Sequence, residues 1–287
     1  MRKARIVFCI VAGLCAMVLG CSLVKNDTSM TMKNTTDHLD TADVKKTAYD
    51  NGFGCDLNTG KCSISPSSKD EFSLSSIKSG KLIYVGDPIC STCLAFSSEI
   101  KEVKKEFEGV LDFQLVLGGL RPYGTEPITT IRDYLLPHFD NLAKMTGLPI
   151  NNAILYDSSF ILDTEPPSRA VVVIRELAPE VENEFYERVQ KAFYLDNSNT
   201  NYVETYLEFV EDFGIEKEVF KNKFESNEIK ELVKSDFRLA REMGVRAFPT
   251  VLLESNGQFS IISEGFSESA LIINKVRSQL YTESKVN

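Results

Sequence analysis

Two cysteines separated by two residues, Cys90-Ser91-Thr92-Cys93, are the side chains of this sequence best placed to do chemistry. Before them Lys81 to Gly86 (KLIYVG) reads as a buried strand. After them Cys93, Phe96, Ile100, Val103 and Phe107 recur at three- and four-residue steps, which predicts an amphipathic helix over 90–107. Cys90 then sits at a helix N-terminus, where unpaired amides and the helix dipole favour a thiolate. The thiolate is the attacking species in disulfide exchange. One helical turn brings Cys93 near enough to close a disulfide, and the apolar face shields it. This gives Cys90 the role of exposed nucleophile and Cys93 that of resolving thiol. A bare C-x-x-C also serves as half of a zinc site or as a structural bridge. The strand-then-helix setting favours exchange.

A second cue is Gly244-Val245-Arg246-Ala247-Phe248-Pro249-Thr250, just before a strand at Thr250 to Leu253. A proline opening a strand has no ladder donor to lose. The plain alternative is a proline that stops the helix ending near Met243.

The elements that must hold these residues follow from periodicity. Leu111, Phe113, Leu115 and Leu117 alternate as in a strand. Helices are expected near 128–145, around 168–177 after Pro166-Pro167, and on the faces Val181/Phe185/Val189, Val203/Tyr206/Leu207/Val210 and Ile229/Leu232/Val233/Phe237/Ala240. Asn256-Gly257 reads as the turn of a hairpin whose second strand is Gln258 to Ile262. A last helix is expected from Ser267, as N-cap, to Tyr281. The order is β-α-β, helical insert, β-β-α, an α/β protein.

With these features in place, the chain resembles the DsbA-like thiol–disulfide oxidoreductases of the thioredoxin superfamily, nearest their disulfide isomerase branch. The resemblance runs over roughly residues 80–282. It is carried by Pro88-x-Cys90-x-x-Cys93, by Val116-Leu117-Gly118-Gly119-Leu120-Arg121-Pro122, by the helical insert, and by Gly244-Val245…Phe248-Pro249-Thr250. It implies a thioredoxin fold interrupted by an all-helical insertion, and activity on protein thiols or disulfides outside the cytoplasm. It also implies a cis-proline at Pro249 facing the Cys pair, with Phe248, Pro249, Thr250, Ser91 and Thr92 shaping the docking surface and a substrate strand pairing with the Thr250 backbone. The strongly oxidising members carry a histidine between the cysteines; Ser91-Thr92 offers only hydroxyls. Tyr84 stands where many relatives have a buried carboxylate, and a phenol is a poor proton relay at neutral pH. Relatives also often place an aromatic between the cysteines, and this chain has no Trp.

The rest of the chain sets the context. Arg2, Lys3 and Arg5 precede an apolar run from Ile6 to Leu19, the length of a signal-peptide core. Val18-Leu19-Gly20-Cys21-Ser22 resembles a bacterial lipobox, which implies cleavage before Cys21 and lipid on its sulfur. Residues 1–20 are thus read as signal peptide and 21–50 as lipid anchor and flexible tether. Residues 51–80 are an N-terminal extension, 81–122 and 244–283 the thioredoxin-fold core, and 123–243 the helical insertion. Membrane attachment through Cys21 places the protein in the periplasm or at the cell surface.

Cys55 and Cys62 stay open to three readings: a small structural disulfide, a second redox pair exchanging with Cys90 and Cys93, or a zinc site built from all four thiolates. No cofactor or resident metal is expected. Loss of the leader takes the formal charge from −9 to −12, and so acidic a chain argues against nucleic acid as partner. The expected partners are cysteine-containing protein substrates and a redox partner that recycles the pair. His38 and His138 have no motif linking them to Cys90, which argues against a Cys–His protease. Two other classes fit the same residues less well: a small-molecule isomerase or glutathione-transferase relative, and a non-catalytic or zinc-binding module.

Overall fold

The computed structural model describes residues 80–286, together with two short strands, β1 (Phe53–Asp56) and β2 (Lys61–Ile64). The expected signal peptide, Cys21 and tether lie outside these residues. The chain falls into two units divided after Asp70. In the first, β1 and β2 pair antiparallel with Cys55 directly opposite Cys62.

The second unit is built on a four-stranded sheet of order β4-β3-β5-β6. β3 (Gly80–Gly86) runs parallel to β4 (Asp112–Leu117) and antiparallel to β5 (Thr250–Ser255), which pairs antiparallel with β6 (Gln258–Glu264). β3 is apolar and buried from Leu82 to Gly86 because both of its faces are covered there. Leu82 and Tyr84 point into one core with Leu115, Leu117, Val251 and Leu253. Ile83, Val85, Val116 and Leu252 point into another with Ala240 and Met243. The β5–β6 hairpin turns at Asn256 and Gly257, both with positive φ (52° and 73°), a backbone that Asn-Gly adopts at little cost.

The helix expected over 90–107 is two helices, α1 (Ser91–Ala95) and α2 (Ser97–Glu106), broken at Phe96. Phe96 is buried, with its ring 5.9 Å from that of Tyr84 and 6.3 Å from that of Phe266. The spacing of buried residues runs on across the break, from Cys93 through Phe96 to Ile100 and Val103, so periodicity alone does not reveal it. Between β4 and β5 come α3 (Arg132–Thr146), α4 (Glu165–Leu177), α5 (Glu182–Tyr194), α6 (Val203–Leu207), α7 (Lys217–Glu225) and α8 (Asn227–Glu242). Pro166 and Pro167 lie inside the first turn of α4 rather than before it, where amides need no partner within the helix. The face expected from Val203 to Val210 divides into α6 and a separate turn at Val210–Phe213, and α7 was not anticipated.

The chain closes with α9 (Ser269–Val286). Ser267 does not cap it: the helix begins two residues later, and the Ser269 amide donates to the Glu99 carboxylate of α2 at 2.7 Å. Among the described residues no helix is long and apolar enough to cross a membrane.

One polar cluster ties the insertion to the open edge of the sheet. Arg175 of α4 donates to both carboxylate oxygens of Asp236 at 2.9 Å, to Glu182 at 2.7 Å and to the Leu115 carbonyl at 3.1 Å. Asp236 also accepts from the Leu117 amide at 2.9 Å. The pair supplies β4 with the donor and acceptor that a neighbouring strand would otherwise provide.

Candidate active site

β3 ends at Gly86, and the next four residues turn the chain into α1 on the support of one buried carboxylate. Asp87 is fully buried. Its Oδ1 accepts from the Ile89 amide at 2.9 Å and its Oδ2 from the Leu120 amide at 2.7 Å. Burial pushes its pKa up to about 6, against the pull of these bonds. Leu120 is brought to it by Gly118-Gly119. Gly119 takes a positive φ of 68°. A Cβ on Gly118 would lie 2.0 Å from the Phe248 ring, so only glycine leaves that ring its place. The expectations from sequence gave Asp87 no role; its one signal was an acid directly behind a buried strand.

Cys90 is the N-cap of α1 and its carbonyl accepts from the Cys93 and Leu94 amides at 3.0 and 3.1 Å. The structure holds Cys90 and Cys93 as a dithiol. Cys93 is fully buried, as its helix face predicts; Cys90 keeps 7% exposure, less open than expected for a nucleophile. Its thiol faces the Phe248 carbonyl at 3.8 Å, across a Phe248–Pro249 peptide that is cis. A hydrogen bond with the Cys93 thiol is the chief cause that lowers the pKa of Cys90; the Cys93 and Thr92 amides add to it, while burial and Asp87 oppose it. Cys93 moves the other way, raised by burial and by Cys90 itself. Because α1 has only five residues, this support is local hydrogen bonding and not a long helix dipole.

Helix α5 clamps α1 through polar side chains one turn apart. Tyr194 donates to the Ile89 carbonyl at 2.7 Å. Ser97, at the start of α2, lies 3.2 Å from Gln190 and 3.3 Å from the Cys93 carbonyl. The Tyr186 hydroxyl lies 3.4 Å from that of Tyr84. Leu94 and Ala95 pack with Phe139, Leu142 and Phe193 of the insertion. The sequence signal for this clamp was buried polar residues at helical spacing, Tyr186, Gln190 and Tyr194, and it was not read.

A cleft of about 430 Å³ opens beside Cys90, with Ser91 and Thr92 on one side and Phe248 on another. Its walls are mainly Ile89, Leu120, Leu135, Phe139, Leu162 and Phe193. Tyr134 and His138 stand at it with their rings 4.7 Å apart, so the fold brings His138 toward Cys90 although no motif linked them. Thr250 does not offer the docking edge expected of it. It lies inside the sheet between Val85 and Glu264, and its hydroxyl donates to Ala247. The backbone that faces Cys90 is that of Phe248. Cys55 and Cys62 belong to the other unit.

A family model described as Thioredoxin matches residues 178–270. No curated protein sequence matches the chain. Among solved structures, a candidate protein disulfide isomerase from Nitrosomonas europaea is 26% identical, with 71% of this chain and 99% of that one covered and a TM-score of 0.66. The cytosolic disulfide reductase DsbM from Pseudomonas aeruginosa is 24% identical over 72% and 98%, with a TM-score of 0.55. A DsbA oxidoreductase candidate from Streptomyces coelicolor is 14% identical over 71% and 91%, with a TM-score of 0.57. The chain has a thioredoxin-like fold similar to that of these structures, its α/β core interrupted by a run of helices.

Proposed function

We propose that the protein is a thiol–disulfide oxidoreductase acting on protein cysteines, with Cys90 as nucleophile and Cys93 as resolving thiol. The observation that carries this is the asymmetry of the pair: one sulfur at the cleft floor lowered toward its thiolate, the other fully buried and kept protonated beside it. In the reducing direction the Cys90 thiolate attacks one sulfur of a substrate disulfide. A mixed disulfide forms and one substrate thiolate leaves. Cys93 then gives up its proton and attacks Cys90 Sγ, releasing the second substrate sulfur, which takes up a proton. Two electrons and two protons pass to the substrate for one Cys90–Cys93 disulfide formed, and oxidation is the reverse.

Phe248 and Pro249, with Ser91 and Thr92, form the docking rim, and the apolar cleft takes a side chain flanking the substrate cysteine. The leader and Cys21 support an extracytoplasmic, membrane-attached site of action, with a separate redox partner that recycles the pair. The opposed register of Cys55 and Cys62 suits a local disulfide, since directly facing residues have Cα separations within the disulfide range.

The test is an equilibrium redox titration of the full chain, read by alkylation and peptide mass. Cys90 and Cys93 are expected to titrate together as a two-electron couple, at a potential more reducing than about −120 mV because no cation lies between them. Cys93→Ser is expected to trap a mixed disulfide on Cys90. A folded protein in which the pair never oxidises would overturn the proposal.

A further inference from the structure

The cleft beside Cys90 differs in charge from the chain that forms it. The sequence carries 41 acidic residues against 32 Lys and Arg. Yet among the described residues that line the cleft there is no Asp or Glu, while Arg121 and His138 both reach it. Asp87 is buried, with its oxygens taken by the Ile89 and Leu120 amides. Arg121 is set in place by its main chain: its amide donates to the Thr164 hydroxyl at 3.1 Å and its carbonyl accepts from the Thr164 amide at 3.1 Å. Among the described residues its guanidinium ion-pairs only with Glu126, at 3.6 Å and with that carboxylate 65% exposed. A pair this long and this wet is weak, which leaves the fork of N–H donors open to a better partner. His138 comes from α3, with Tyr134 one turn before it and their rings 4.7 Å apart. Leu135 and Phe139, next to them along the helix, line the cleft too, so one face of α3 brings apolar and polar side chains into the same space. The imidazole has an N–H to donate in either protonation state. The main chain facing Cys90 is the Phe248 carbonyl, at 3.8 Å, a place for an extended substrate strand. Side chains of such a strand alternate in direction. With the substrate cysteine turned toward Cys90, its immediate neighbours point away, and the residue two positions along points the same way about 7 Å on. A cleft of about 430 Å³ beside Cys90 has room for that side chain.

We propose that the cleft selects protein substrates with a glutamate two residues from the reacting cysteine, its carboxylate met by Arg121 and His138. The apolar walls cover the methylenes of the glutamate stem, and the two basic side chains fix its tip. A lysine at the same place meets like charge. Arg121 and His138 bind substrate without touching the reacting sulfurs, and the exchange step itself stays as written above. This inference rests on the exchange reading and adds a substrate class to it.

The test uses the full chain with Cys93→Ser, so that exchange stops at the mixed disulfide. Its partners are symmetric disulfide dimers of a short alanine-rich peptide with one cysteine. In each dimer a Glu, Gln or Lys stands one or two residues before or after that cysteine. The Cys90 thiolate attacks one peptide sulfur, the Cys90–peptide bond forms, and the other peptide leaves as a thiolate that takes up a proton. Peptide mapping by mass reads the Cys90 adduct alone. Each rate is divided by that of 2-mercaptoethanol with the same dimer, which removes the peptide's own reactivity. At neutral pH and low salt the Glu dimer is expected to react about five- to tenfold faster than the Gln dimer at one of the two-residue positions, the effect of a charge-assisted hydrogen bond in a half-open site. The Lys dimer is expected to be slower than the Gln dimer there, and Glu directly beside the cysteine to give no advantage. Adding Arg121→Gln is expected to bring the Glu-to-Gln ratio to about twofold or less, and Arg121→Lys to restore part of it, the charge without the fork. His138→Gln is expected to lower the ratio by about half, through loss of one donor. If Arg121→Gln does not fold, salt decides: the ratio should fall by about half or more between about 20 mM and about 500 mM NaCl, as a partly exposed charge contact is screened. A ratio near one at both two-residue positions, a Lys dimer as fast as the Glu dimer, or Glu favoured only beside the cysteine overturns the inference while leaving exchange intact. So does a ratio that persists in folded Arg121→Gln or holds through the salt range. Failure of every dimer to form a Cys90 adduct, while all react with 2-mercaptoethanol, overturns the exchange reading instead.

Discussion

Asp87→Asn tests the support of the Cys loop in a way that has a sign as well as a size. The Asp87 carboxyl is pushed up to about 6 from an ordinary 3.8, because burial outweighs its hydrogen bonds. At 1.36 kcal/mol for each tenfold change in acidity, the difference is worth about 3 kcal/mol. A carboxyl that holds its proton more tightly when folded makes the native state more stable in acid. That contribution is full below pH about 4, falls by about 1.4 kcal/mol per pH unit, and is lost as pH rises past about 6. Asparagine removes the ionisation but also one acceptor. The carboxylate accepts from Ile89 and Leu120 through separate oxygens, and the amide can replace only one of them. The unmatched amide costs roughly 1–3 kcal/mol at every pH.

The two effects therefore oppose each other near pH 7, where the variant should be within about 2 kcal/mol of wild type, and only the hydrogen-bond loss remains near pH 4. Urea unfolding of both proteins from pH 4 to 7, with a common slope, reads the difference and cancels the other carboxylates. Wild type should lead clearly at pH 4 and lose that lead by pH 7. A lead that is flat, or that grows with pH, refutes the account of Asp87. The same substitution removes a negative charge that opposes the Cys90 thiolate, so alkylation of Cys90 should reach half-maximal rate at a lower pH than in wild type.

Two further perturbations follow from packing and charge. Gly118→Ala drives a methyl group into the Phe248 ring, so it should destabilise by about 1–3 kcal/mol and slow disulfide exchange by displacing the carbonyl that faces Cys90; thermal unfolding and the rate of Cys90 adduct formation read the two effects separately. Arg175→Ala strands the Asp236 and Glu182 carboxylates, and should cost about 3 kcal/mol, the lower end for a buried pair because a quarter of the Arg175 side chain is exposed. Arg175 opposes the upward push of burial on the Glu182 carboxyl, so without the guanidinium that carboxyl holds its proton more tightly and the variant should regain stability on acidification from pH 7 to 5, measured as a narrowing gap in melting temperature.

What was legible in the sequence was what a short segment decides by itself. The strand before Cys90, the turn at Asn256-Gly257 and the helix from Asn227 to Glu242 each carry their own period or backbone preference, and the structure has them where they were read. Pro249 stands directly before β5 for the same kind of reason. The misplacements share another cause. Ser267 is a good cap in isolation, but the first amide of α9 is met by Glu99 from a distant helix. Thr250 looks available until its strand is seen to lie between two others, and strand order is no local property. Phe96 keeps the helical spacing while the helix breaks at it, because apolar period records which core a residue enters and not whether the backbone between is continuous.

The clamp on the Cys90–Cys93 segment follows the same division. Tyr84 and Tyr186 are 102 residues apart, and no period joins them. Yet Tyr186, Gln190 and Tyr194 recur every fourth residue on a face of α5 that also buries Phe185, Val189 and Phe193. Polar groups buried among apolar ones need partners. An amphipathic period broken by polar residues at its own spacing therefore marks a helix that meets something polar inside the protein. Here that something is the Ile89 carbonyl for Tyr194, the Ser97 hydroxyl for Gln190 and the Tyr84 hydroxyl for Tyr186.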